Sequence, residues 1–195
     1  MRCIDSIEYK GHTISIFPDE DPPNPRKEFD HLGTMVCFHG RYELGDRHEF
    51  RAPDEFTEFL KEEQPIRLPL YLFDHSGITM STGNERFRAC DPQGWDWGMV
   101  GYIYVTKENV QKEYGVKRVS RKILDKVVNL FLAEVQEYDH YLTGNVYGYK
   151  ITKDEKPQAG DVIDSCWGFF GYPGDYMISE AKRSIDHMEA MHAGH

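Results

Sequence analysis

The chain reads as an α+β protein: a mixed, mainly antiparallel sheet packed against one long helix over about residues 120–142 and a C-terminal helix over about 174–191. Three observations predict this. Short β-like runs outnumber helical ones, and some are joined by tight turns rather than by helices. The longest apolar repeat, Ile123, Val127, Leu130, Phe131, Val135, Tyr138 and Leu142, advances in steps of mostly three and four residues. No strand, helix, strand alternation of the doubly wound kind runs through the chain.

The first element is a hairpin. Ile4–Tyr9 and His12–Phe17 are β-like runs on either side of Lys10-Gly11, a turn pair. Residues 18–31 follow as a long loop, because the four prolines of Pro18–Arg26 cannot continue a ladder. Thr34–His39 reads as a third strand. Pro53 suits the first turn of a helix, Asp54 and Glu55 favour its positive end, and Phe56, Phe59 and Leu60 mark its buried face to about Glu63. Pro65 and Pro69 bracket a break before a strand at Leu70–Phe73. Residues 82–97 form a second long loop, and Met99–Val105 a central strand.

Thr106 caps a short helix that Gly115 ends, and Ser120 caps the long one. Val146–Thr152 and Val162–Phe170 are strands, the second interrupted by Gly168. Ile178, Ala181, Ile185 and Met188 form the apolar stripe of the last helix, and residues 192–195 a frayed tail. No composition shift or repeat divides the chain, so residues 1–195 are expected to form a single domain.

The 195 residues include 33 acidic and 23 basic side chains, a net charge of −10. The imbalance sits early: residues 1–63 hold 15 acidic and 8 basic, a net of −7. Such a surface repels phosphates and attracts basic partners, so direct nucleic-acid binding is not expected. The balance reverses over Lys107–Lys126, with seven basic residues against three acidic; Lys117, Arg118, Arg121 and Lys122 read as a solvated face. No apolar run is long enough to span a membrane and the N-terminus carries no secretion signal, so the expected location is the cytoplasm. Cys3, Cys37, Cys90 and Cys166 are widely spaced and are expected to be free, buried thiols.

No phosphate loop, dinucleotide-binding glycine pattern, zinc-protease helix, nucleophile elbow or calcium loop is present. An enzyme would have to use dispersed residues, and no cofactor is expected. Four constellations bear chemistry. Asp74 and His75 at a strand end suit acid–base work, although neighbours on a strand point to opposite faces; an Asx turn toward Gly77 explains them equally. Cys37 and His39 share a strand face and could ligate zinc with Cys166, His75 or His31, or simply pack. Asp161 and Asp164 flank an aromatic-rich strand that Asp139 and His140 could approach from another element, which would allow a multi-carboxylate metal site built from Asp74, Asp139 and Asp164. Trp95 and Trp97 could anchor a partner or seal the core. His187, Met191 and His195 repeat at four-residue steps in the tail.

Several segments together resemble a family of uncharacterised proteins of phages and other mobile elements. They are Asn24-Pro25-Arg26, Leu32 to His39, Tyr42 to Asp46, Leu68 to Ile78, Gly101 to Thr106, Tyr141 to Gly148 and Asp164 to Phe169. The resemblance covers most of residues 20–172 and brings no activity with it. The family has a tighter segment where this chain has Cys90 to Asp96. What the resemblance implies is context: a small acidic accessory protein of the host cytoplasm, monomer or homodimer, that binds a host protein. A counter-defence inhibitor of the anti-CRISPR or anti-restriction type, blocking the basic groove of a nuclease, is the expected form. The binding face would combine Asp19, Glu20 and Asp21 with Asp54, Glu55, Glu58 and Glu62. The competing expectation is a small metal-dependent or acid–base hydrolase using Asp74 and His75 with Cys37 and His39 or with Asp139 and Asp164.

Overall fold

The computed structural model describes residues 2–153 and 162–193. In chain order the elements are β1 (Asp5–Tyr9), β2 (His12–Pro18), α1 (Pro25–Glu28), β3 (Thr34–Cys37), α2 (Pro53–Glu63), β4 (Ile66–Asp74), β5 (Ile78–Ser81), α3 (Glu85–Cys90), β6 (Trp97–Val105), α4 (Lys107–Glu113), α5 (Arg121–Leu142), β7 (Val146–Thr152), β8 (Val162–Phe170) and α6 (Asp175–Ala193). The class is α+β. The strands divide between two four-stranded sheets, where the sequence reading had one, and every pairing is antiparallel. The chain forms two compact units: residues 1–23 with 144–195, and residues 24–143 between them.

In the discontinuous unit the strands run in the order β1-β2-β7-β8. The hairpin turn is the mirror-image kind: Lys10 and Gly11 both have positive φ, 49° and 70°, which matches the twist of the flanking strands. Ile14 and Ile16 on β2 and Tyr149 and Ile151 on β7 share one sheet face, where Met177, Ala181 and Ile185 of α6 cover them. Gly168, with φ of 80°, falls where the β7–β8 register has shifted, which is the interruption the sequence indicates.

In the inserted unit the order is β3-β6-β4-β5. One face packs on α5 through Met35, Leu70, Leu72, Met80 and Ile103 against Val127, Phe131, Val135 and Tyr138. Ser120 accepts from the Ile123 N–H, as the capping pattern requires. The other face carries α2, whose Phe56, Phe59 and Leu60 sit with Val36, Phe38, Phe50, Tyr102 and Tyr104 in an aromatic cluster.

Pro69 lies inside β4 and does not break it. At Pro69 the strand is paired with Tyr102 of β6, while β5 pairs only with Tyr71 to Asp74. The open edge needs no N–H donor there, so a proline is tolerated. Both long loops also contain helix. Asn24 caps Arg26 and opens α1 within 18–31, and α3 occupies 85–90 within 82–97. Short helical turns of four and six residues leave too little periodicity to read from sequence.

Candidate functional site

The inserted unit is held by an ion network that no sequence pattern announces. Arg26 of α1 is 9% exposed. Its Nε and Nη2 donate to the two oxygens of Asp46 at 2.8 and 2.5 Å. Nη1 donates to Glu134 Oε2 of α5 at 3.1 Å, and Nη2 also reaches the Gly33 carbonyl at 2.6 Å. Glu134 Oε1 accepts the N–H groups of Leu32 and Gly33, and Asp46 accepts that of Met35. Burial opposes the guanidinium charge, but the paired carboxylates outweigh it and hold its pKa above the ordinary value. The network therefore pins α1, the start of β3 and the 40–48 loop to α5. Gly33 is required here, since a Cβ would overlap the Ile103 side chain and the Glu134 carboxylate.

Beside it lies a cleft of about 900 Å³ lined by residues including Lys27, Cys37, His39, Tyr42, Arg47 and His48. Cys37 and His39 do not act as a pair in it. The Cys37 thiol is pushed up to about 12, chiefly by burial and also by Asp46, so it stays protonated at neutral pH. His39 Nδ1 accepts from the Arg41 and Tyr42 N–H groups at 3.2 and 3.3 Å, and its ring stacks on Tyr42. His48 donates from Nε2 to the Cys37 carbonyl. Its Nδ1 is buried and has no hydrogen-bond partner among the described residues.

Asp74, the last residue of β4, and His75, in the turn that follows it, part company. Asp74 accepts from Arg41 and from the Tyr42 hydroxyl, which links it through Tyr42 to His39. His75 donates from Nδ1 to Asp96 Oδ2 at 2.7 Å. Asp96 is itself fixed: its carbonyl accepts the Asp74 N–H at 2.7 Å and its N–H donates to Asp91 at 2.9 Å. The Asp91 carboxyl is held below the usual carboxylate range, first by the Asp96 N–H and then by those of Trp95, Gln93 and Gly94. The segment 91–97 is thus a tight, internally bonded turn. Trp95 stands on it 81% exposed, its indole N–H on Gln93, while Trp97 donates to the Asp91 carbonyl.

The remaining candidates are dispersed. Asp139 accepts from the Thr79 hydroxyl and the Met80 N–H, both at 2.6 Å, and pairs with Arg86. Asp164 and Cys166 belong to the discontinuous unit, where Asp164 accepts from Ser184 and Cys166 is exposed. Of the four thiols expected to be buried only Cys37 is; Cys90 and Cys166 are exposed and Cys3 is half-buried, because Cys90 ends the short helix α3, Cys166 lies on the edge strand β8 and Cys3 precedes β1. Asp161 and His195 lie outside the described residues. Among the described residues, no group of three or more His, Cys, Asp or Glu side chains is placed to hold a metal. No helix of the described residues is long and apolar enough to cross a membrane.

No family model, curated protein or solved structure matches the chain. The chemistry of its side chains has to carry the functional reading.

The two acidic segments belong to different units. Asp19 in the discontinuous unit accepts from the Asp21 and Gly168 N–H groups, and with Glu20 and Asp21 it borders a shallow cavity beside Trp167. In the inserted unit, Asp54, Glu55, Glu58 and Glu62 are all exposed on α2. Glu55 accepts the N–H of Arg51, just ahead of the helix, at 2.7 Å. None of the four forms an ion pair with another described residue.

Proposed function

We propose that the protein acts by binding a basic surface of a partner protein through the outer face of α2. The observation that carries this reading is the set of exposed, unneutralised carboxylates at Asp54, Glu55, Glu58 and Glu62 on a helix clamped from beneath by the aromatic cluster. Positions 54, 58 and 62 are spaced four apart, so their carboxylates repeat about every 6 Å along one side of the helix. A rigid row of like charge loses little conformational entropy when it meets a complementary row.

The partner class is a host protein whose groove is lined with lysine and arginine, as the grooves of nucleases are. Occupying that groove would exclude nucleic acid, which is how a counter-defence inhibitor of the anti-CRISPR or anti-restriction type would act. Binding of this kind weakens as salt rises, because exposed charges are screened over roughly 8–10 Å at physiological ionic strength.

The test is a charge reversal. Asp54, Glu55, Glu58 and Glu62 are all changed to Lys, and host proteins retained by the variant and by the natural chain are quantified side by side at low and moderate salt. Selective loss of a salt-sensitive basic partner supports the reading. Equal retention of every partner by both proteins overturns it.

A further inference from the structure

The geometry points to His75 as a phosphoryl-accepting nucleophile, taking the group on Nε2 from an acyl phosphate or a phosphoramidate. A nucleophilic imidazole needs one nitrogen held as a donor so that the lone pair of the other faces outward. Asp96 supplies that constraint: its carboxylate lies 2.7 Å from Nδ1 and can only accept, so in the neutral ring the proton sits on Nδ1 and the lone pair on Nε2. The constraint is built in, since the Asp96 backbone is bonded on both sides, to Asp74 and to Asp91. His75 is itself fixed, with its N–H on the Gly77 carbonyl at 3.1 Å, and its ring lies beside Phe73.

Two further features suit a phosphoryl group rather than a buried reaction centre. The His75 side chain is 65% exposed, so a donor carried on another molecule can reach Nε2 in line. The neighbouring carboxylate of Asp74 is occupied by Arg41 and the Tyr42 hydroxyl, so it does not confront the incoming anion as a free charge. Asp96 meanwhile offsets the positive charge that develops on the ring. In the step, the Nε2 lone pair forms the new P–N bond while the bond from phosphorus to the donor's leaving group breaks. The leaving group departs with that electron pair, as carboxylate from an acyl phosphate or as ammonia from protonated phosphoramidate. The Nδ1–H stays on the ring, against Asp96. Here Asp96 is a positioning residue and His75 the reacting one.

The experiment treats the full chain with phosphoramidate and follows each histidine by peptide mass and by phosphorus NMR. His187, which is exposed on α6, serves as the internal reference. The expected result is modification of His75 at Nε2 alone, at least about tenfold faster than at His187, the advantage an orienting charged hydrogen bond can supply. D96N keeps an acceptor but removes the charge, and should slow His75 without affecting His187. D96A frees Nδ1, and the Nδ1 isomer should appear. Modification of His75 at the His187 rate, or a mixture of both isomers in the unaltered chain, overturns the proposal. Far-UV circular dichroism checks that each variant keeps the fold, and the rate ratio and isomer in the unaltered chain decide the proposal without the variants.

Discussion

Replacing Glu134 by alanine tests the ion network most directly. The Arg26 and Glu134 side chains are 2% and 5% exposed, so water screens neither. E134A strips Arg26 of one of its two carboxylates and leaves the Leu32 and Gly33 N–H groups without their acceptor. Breaking a buried pair by removing one partner costs about 3–5 kcal/mol, and the two orphaned N–H groups place the loss in the upper part of that range. E134Q retains an oxygen for the N–H groups but turns an amide toward the guanidinium, so about 1–3 kcal/mol is expected. The exposed control E58Q should stay within about 0.5 kcal/mol. Urea unfolding followed by far-UV circular dichroism measures all three, with the slope checked for constancy. In a double-mutant cycle, R26M and E134Q should couple by about 1–3 kcal/mol. A loss below about 1 kcal/mol for E134A, or no coupling in the cycle, would refute the claim that this network anchors α1 and β3 to α5.

Two other expectations are simpler to check. Cys37 should resist a thiol reagent at pH 8 until the protein unfolds, while Cys90 and Cys166 react at once, because burial keeps the Cys37 thiol protonated and out of reach; rapid labelling of Cys37 in the folded chain would refute its burial. The 91–97 turn should keep its order as pH falls through the ordinary aspartate value of 3.8 and lose it only below, since the folded Asp91 carboxyl titrates lower than the unfolded one. The Trp95 indole N–H resonance reports this, and its collapse already near pH 5 would contradict it.

Much of the architecture is legible in the chain because it rests on local chemistry. Ser120 and Thr106 cap helices by hydrogen bonds spanning three residues, and Lys10-Gly11 turns a hairpin by its own backbone preference. The dispersed site is a different matter. His75 was visible as a candidate, but its partner Asp96 is 21 residues away and reaches it only because β4 pairs with β6. Arg26 and Glu134 are 108 residues apart, and their meeting depends on how α1 lands on α5. Pro69 was misleading for a related reason: whether a strand tolerates proline depends on which edge has a neighbour, which is a property of the sheet.

The interruption of one unit by the other has a consequence for synthesis. β2 pairs with β7 so that Pro18 lies opposite Tyr147, and the whole of residues 24–143 is spelled out between them. At ordinary translation rates the first hairpin waits on the order of ten seconds for the strand that completes its sheet. During that wait the edge of β2 is exposed, and only the inserted unit has its full sequence in hand. The order of appearance on the ribosome therefore favours residues 24–143 as the first part to mature, before β7 and β8 emerge to complete the other sheet.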